Sequence, residues 1–187
     1  MQFPFKNKIL KENQSEQDAF KDYNVTEIPV LPHPGAFSCI RKNHIHEGID
    51  LYCFENEEVV SMELGKIVSI SVFTGTEVNS PWWNTTWSVM IEGLSGVINY
   101  GEIKPLENLS VGQEIKEGQL IGNVIPVLKK DKGRPMNMLH LELYTHGTTK
   151  YLQSWELNFP QPENLLNPNI LLQSILNQKK SVKIKVQ

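Results

Sequence analysis

His46 and Asp50, four residues apart in His46-Glu47-Gly48-Ile49-Asp50, and His140 far downstream are the side chains of this chain best suited to share a metal ion. Two imidazoles and one carboxylate are the donor set of a catalytic-type zinc site, where three protein ligands leave one position open. A metal held in this way polarises a carbonyl and lowers the pKa of a bound water. The chemistry these residues suggest is hydrolysis, or capture of a ligand at a Lewis acid.

The chain must bring the three groups together. Ile45 to Phe54 reads as extended, and on a flat strand His46 and Asp50 would share a face but lie about 13 Å apart, at roughly 3.3 Å per residue. Zinc donors sit about 2 Å from the metal. The strand must therefore bend between them, and Gly48 is the residue that permits a bend or bulge. His140 lies in a strictly alternating run, Met138 to Tyr144. Leu139, Leu141 and Leu143 take one face, for a core, and leave His140 and Glu142 on the other, for a groove.

Further strand signals fall at Ile49–Phe54, Glu58–Ser61, Gly65–Phe73, Trp87–Glu92, Gly96–Ile103 and Gln119–Val127, separated by glycine-, asparagine- and proline-bearing turns. Many short strands with regular turns give an all-β class, mainly an antiparallel sheet groove. Asn167-Pro168 reads as a helix N-cap with proline in the first helical position. Ile170, Leu171, Ser174, Ile175 and Gln178 keep helical spacing, so one short C-terminal helix is expected over 168–179. The tail from Lys179 to Lys185 alternates lysine with apolar residues and reads as a lysine-protected edge strand or as disordered chain. The expected division is a polar N-terminal flank (1–27), a β domain (28–160), and a C-terminal helix with a lysine-rich tail (161–187).

His46 to Asp50, Tyr100-Gly101 and Leu139-His140-Leu141-Glu142 resemble, in order and spacing, the three signatures of the lysostaphin-type zinc metallopeptidases. The glycine-paced run Val111 to Gly122 is similar to the strand–turn–strand that this family carries between the second and third signatures. The resemblance covers about residues 30 to 145. His44 to Cys53 and Ile121 to Leu128 look closer to the leukocyte cell-derived chemotaxin branch, which keeps the metal but is not known for peptidase activity. The resemblance implies Zn2+ held by His46, Asp50 and His140. It also puts Glu102 and Met138 at the places where active members carry two catalytic histidines. Positioned acid–base groups typically contribute 10²- to 10⁴-fold, and methionine can neither hold nor donate a proton. Glu102 could accept one, although the plainer reading is a solvated residue at a strand end.

Other residues remain open. His44 and His146 lie at even spacings from His46 and His140 and could stand in as bases, or be surface histidines. His33 reads as a loop residue. Trp82, Trp83 and Trp87 lie in an inter-strand loop, as a ligand-gripping groove wall or tucked under the sheet. Cys39 and Cys53 are two thiols or one disulfide, and no C-x-x-C makes them zinc ligands.

The hydrophobic fraction of 40% suffices for a core, and the net charge of −3 argues against nucleic acid. There is no run of 18 apolar residues. Met1 to Phe20 lacks an apolar signal region, which suggests a cytoplasmic protein or one exported by a non-standard route. Val59 to Val68, with Gly112, Gly118 and Gly122, also resembles a biotinyl or lipoyl carrier half-barrel, but Lys66 sits inside a strand rather than at a hairpin tip. Taken together, the residues and the resemblance imply a zinc-binding, peptidase-like protein, weakly active or inactive, that binds a peptide, peptidoglycan fragment or protein. The alternative is an active endopeptidase that cleaves peptidoglycan cross-link peptides with Glu102, His44 or His146 as base.

Overall fold

The computed structural model describes residues 1–5, 9–11, 25–130 and 136–184. In chain order its strands are β1 (Ile9–Lys11), β2 (Val25–Glu27), β3 (His44–Ile45), β4 (Ile49–Tyr52), β5 (Glu58–Val60), β6 (Gly65–Thr74), β7 (Thr86–Gly93), β8 (Gly96–Pro105), β9 (Glu114–Ile115), β10 (Leu120–Val124), β11 (Met138–Tyr144), β12 (Trp155–Glu156) and β13 (Leu165–Leu166), followed by helix α1 (Asn169–Ile184). Among the described residues, β1 with β2 is the one parallel strand pair and the rest are antiparallel. The expected class, an antiparallel β-sheet with a single C-terminal helix, is the class observed.

The strand alternation places the core. Leu139, Leu141 and Leu143 of β11, Ile98 and Tyr100 of β8, and Val89 and Ile91 of β7 are fully buried in one apolar cluster. The opposite face of β8 and β11 is buried as well, so Asn99, His140 and Glu142 are inside rather than on an open surface. Polar groups that deep need partners, and that need organises the site.

Two register features position the functional residues. β11 has β8 on one edge and β4 on the other, with His140 opposite both Gly101 and Asp50. β8 pairs with β11 through Gly101 and then, from Ile103 to Pro105, with β10. At that change of partner its register with β7 slips, and Glu102 adopts a left-handed backbone with φ of 65°.

The first five residues of the expected polar flank belong to the packed body. Phe3 and Phe5 are buried, and Val60 N–H donates to the Pro4 carbonyl at 2.8 Å. At the other end the asparagine cap is realised, because Asn169 N–H donates to Asn167 Oδ1 at 2.9 Å. The helix buries Leu171, Leu172, Ile175 and Leu176, whereas Ile170 faces solvent, so the apolar face is rotated from the one the spacing suggested. The tail read as an edge strand or disordered chain is helical through Ile184. A capped helix adds a hydrogen bond with each residue, and Gln178, Lys179 and Lys180 are good helix formers. Lys185 lies outside the described residues. No helix among them is long and apolar enough to cross a membrane.

Candidate metal centre and its groove

His46, Asp50 and His140 converge. His46 Nε2 lies 3.1 Å from Asp50 Oδ1 and 3.3 Å from His140 Nδ1, and His140 Nδ1 lies 2.9 Å from the same carboxylate oxygen. Four tetrahedral donors about 2.0–2.1 Å from a zinc ion stand roughly 3.3 Å apart, so this triangle has the size of one face of a metal site. His46 and His140 both meet Asp50 at Oδ1. The chain breaks between β3 and β4 to bring His46 round, and β-register sets His140 directly opposite Asp50. Gly48 sits in that break for a reason other than backbone freedom. A Cβ there would lie 2.6 Å from the Leu141 carbonyl and 2.8 Å from His140 Nε2. The expected bend exists, but what requires glycine is the close approach of β11.

Each ligand atom is turned inward by a hydrogen bond on its far side, as outer-shell partners do for metal-ligating histidines. His46 Nδ1–H donates to the Ala36 carbonyl at 2.9 Å, which turns Nε2 toward the centre. His140 Nε2–H donates to Glu142 Oε1 at 3.2 Å, which leaves Nδ1. Glu142 is in turn held by Asn99 Nδ2–H, and Asn99 Oδ1 accepts from Ser88 Oγ–H, a buried chain of donors that ends on the carboxylate. Arg41 donates to Asp50 Oδ2 and to the Pro34 carbonyl, so Asp50 presents only Oδ1 to the centre.

These contacts set the charges. Burial pushes the Asp50 carboxyl up, but the charges of His46 and Arg41 and hydrogen bonds from both histidines hold it well below the usual range. Burial lowers His140, and its bonds to Asp50 and Glu142 outweigh this and hold it well above the ordinary imidazole value. A metal ion bound at this site would therefore have to displace a proton from His140.

Glu102 is not the solvated strand-end residue that its sequence context suggests. It is 8% exposed. Its Oε2 has no hydrogen-bond partner among the described residues. Burial, then the nearby charge of Asp50, pushes its carboxyl up to about 8. A bulge re-aims a side chain, and the bulge here turns Glu102 to the groove.

The groove above the triad has a volume of about 1120 Å³. Met138 and Glu102 line it with His140, as do Phe73 and Tyr151, whose rings touch, and Trp83, Val127 and Leu128. The Phe73 ring lies 5.3 Å from that of His140. The segment after β11 is pinned as a wall by Tyr151 O–H on the Val72 carbonyl, Leu152 N–H on Tyr144 Oη and Trp155 N–H on Glu47 Oε1.

Of the three tryptophans, only Trp83 lines the groove. Trp82 is 64% exposed and packs edge-on against Trp83, and Trp87 lies in β7 and is not among the lining residues. His44 lines the groove, with burial lowering its pKa. His33, a loop residue as expected, lines it too and accepts from Gly35 N–H. His146 instead meets Glu92 on the surface. Cys39 and Cys53 are thiols rather than a disulfide. Sequence reasoning missed Arg41, Ser88 and Asn99, and only Asn99 carried a signal, as a polar residue inside an apolar run.

Residues 44–151, which include all three members of the triad and Glu102, match Peptidase family M23. No curated protein matches the chain. Among solved structures it is similar to the catalytic domain of the antimicrobial peptidase lysostaphin from Staphylococcus simulans, at 18% identity over 69% of this chain and 80% of that one, with a TM-score of 0.46. The solution structure of lysostaphin gives 19% identity over 70% of this chain and 44% of that one, with a TM-score of 0.45, so the chain spans less than half of it. The SpoIIQ–SpoIIIAH pore-forming complex gives 20% identity over 60% and 66%, with a TM-score of 0.41.

Proposed function

The chain belongs to Peptidase family M23, and from that premise we propose that it binds one zinc ion through His46 Nε2, Asp50 Oδ1 and His140 Nδ1. The groove then holds a peptide, a peptidoglycan fragment or a partner protein, with weak or no hydrolysis. The observation that carries this reading is the convergence of three buried donor atoms, each turned inward by its own partner, on the floor of an open groove. Zinc bound there would supply Lewis acidity, polarising a carbonyl and lowering the pKa of a bound water.

The residues around the centre restrict its hydrolytic power. Met138 occupies the place of one catalytic histidine in the family resemblance, and its thioether moves no proton. Glu102 occupies the other. The loss of one oxyanion donor typically costs about 10²- to 10³-fold, so binding outlasts turnover. A place near the leukocyte cell-derived chemotaxin branch, favoured by the residues from His44 to Cys53, fits a protein that keeps its metal and not its hydrolysis.

A second reading draws on Glu102. A non-glycine residue in the left-handed region costs on the order of 1–3 kcal/mol, and such strain gathers at functional sites. Its unpartnered Oε2 could take a proton from an attacking water, which would make the protein an active endopeptidase on peptidoglycan cross-link peptides.

Metal analysis and digestion of purified peptidoglycan and oligoglycine peptides decide between the readings. The expected result is about one zinc per chain, lost in His140→Ala, with little or no cleavage. Robust cleavage that disappears in both His46→Ala and Glu102→Ala establishes the second reading instead. A zinc content unchanged in His140→Ala refutes the metal assignment.

A further inference from the structure

The groove faces its ligand with four carboxylates, and three of them are engaged. Asp50 is held by Arg41 and both histidines, Glu47 accepts the Trp155 N–H, and Glu142 is held by His140 and Asn99. Glu102 is the fourth. Its Oε2 is buried without a partner among the described residues, and the residue is more than nine-tenths buried. The one guanidinium of the groove, Arg41, is already committed to Asp50 and to the Pro34 carbonyl. The large majority of side-chain polar atoms buried this deep are partnered, and a cation or strong donor is the partner that lets a buried carboxyl ionise. The strained backbone that turns Glu102 inward points the same way.

Resting on the reading that the groove holds a peptide, we infer that Glu102 receives a primary ammonium group of that ligand, so that the groove selects peptides by a free amine. Glu102 follows Gly101, the residue opposite His140. The amine end of the ligand therefore lies beside the metal centre and the rest of the peptide runs out along the Trp83 and Tyr151 walls. Two sources offer the same chemistry, a free amino terminus or a lysine-type side chain.

Calorimetric titration of the zinc-supplemented protein with trialanine, N-acetyltrialanine and N-acetyl-Ala-Lys-Ala separates them. The expected result is that one amine-bearing peptide binds at least about tenfold tighter than N-acetyltrialanine, and the arm that shows the preference names the source. Glu102→Gln, near in size and without charge, abolishes the preference. So does Glu102→Gly, which suits the left-handed backbone and guards against a folding defect in the first variant. Equal affinity for all three peptides, no measurable binding, or a preference that survives in both variants overturns the inference. Unselective binding leaves the peptide-holding groove standing and sinks Glu102 alone, whereas no binding of any of the three peptides sinks both, so the two readings fail distinguishably.

Discussion

His140 presents Nδ1 to the centre only because Glu142 accepts its Nε2–H, and Glu142 stays in place because Asn99 donates to it from below. Glu142→Gln keeps the volume but exchanges a pure acceptor for a group that is half donor. We expect zinc affinity, read by competition with a chromophoric chelator, to fall about 10- to 100-fold, with the circular dichroism spectrum unchanged. Gly48 is a second sensitive point. Its added Cβ would press on His140 and on a backbone carbonyl, so Gly48→Ala should cost about 1–3 kcal/mol, as overpacking does, and lose zinc as well. Urea unfolding with metal analysis checks both effects. Glu102 sets a pH dependence in the metal-free protein. Its carboxyl is raised from an ordinary 4.5 to about 8, so between these values the folded state binds the more protons. Its contribution is then complete below pH 4.5 and lost as pH rises to 8. Thermal melts across that window should show the parent declining more steeply than Glu102→Gln; parallel curves would contradict the assignment.

Strands and loops divide the work between them. β11 brings His140 and β4 brings Asp50 by register alone, while the wall after β11 is fastened by single contacts. Trp155 N–H on Glu47 Oε1, 2.7 Å and buried, is one of these. Glu47→Ala leaves a buried donor unsatisfied, at about 1–3 kcal/mol, and hydrogen exchange at Trp155 and Glu156 should speed up selectively. This division also explains what could be read from sequence. The alternation of β11 and of the strands at 65–74, 86–93 and 96–105 is long enough to show its period, and the two-residue strands β3, β9, β12 and β13 are not. The candidate metal donors announce themselves by type, whereas Arg41 reaches Asp50 through a loop whose path no spacing encodes. The burial of Glu102 was hidden for a related reason. It depends on β8 exchanging one neighbour for another, a fact about three strands at once. The extension of α1 to Ile184 was masked by an apolar–lysine alternation that imitates a strand.

For the molecule as a whole, the triad ties separate parts of the sheet together, since His46 precedes β4 and His140 comes from β11, far along the chain. A metal bound to the folded state and not to the unfolded one stabilises it by mass action, about 2.7 kcal/mol at a hundredfold excess over Kd. Tm should therefore climb with added zinc and return on chelation, and His46→Ala should remove the response. Acid acts through the same residues. Asp50 is depressed, so its contribution is present above its ordinary 3.8 and lost as pH falls below it. Protons compete for His140 before they reach Asp50, so a zinc-loaded protein should release metal before it unfolds.

The left-handed turn at position 102 carries one more implication. Histidine and asparagine are several-fold enriched in that backbone region relative to most residues, and glycine enters it freely. The main chain here is thus a socket that admits chemically different side chains without rebuilding the sheet around it. Installing histidine by Glu102→His would test whether peptidase chemistry can be exchanged at this one position. In such an architecture reactivity can drift between lineages while the scaffold stands still.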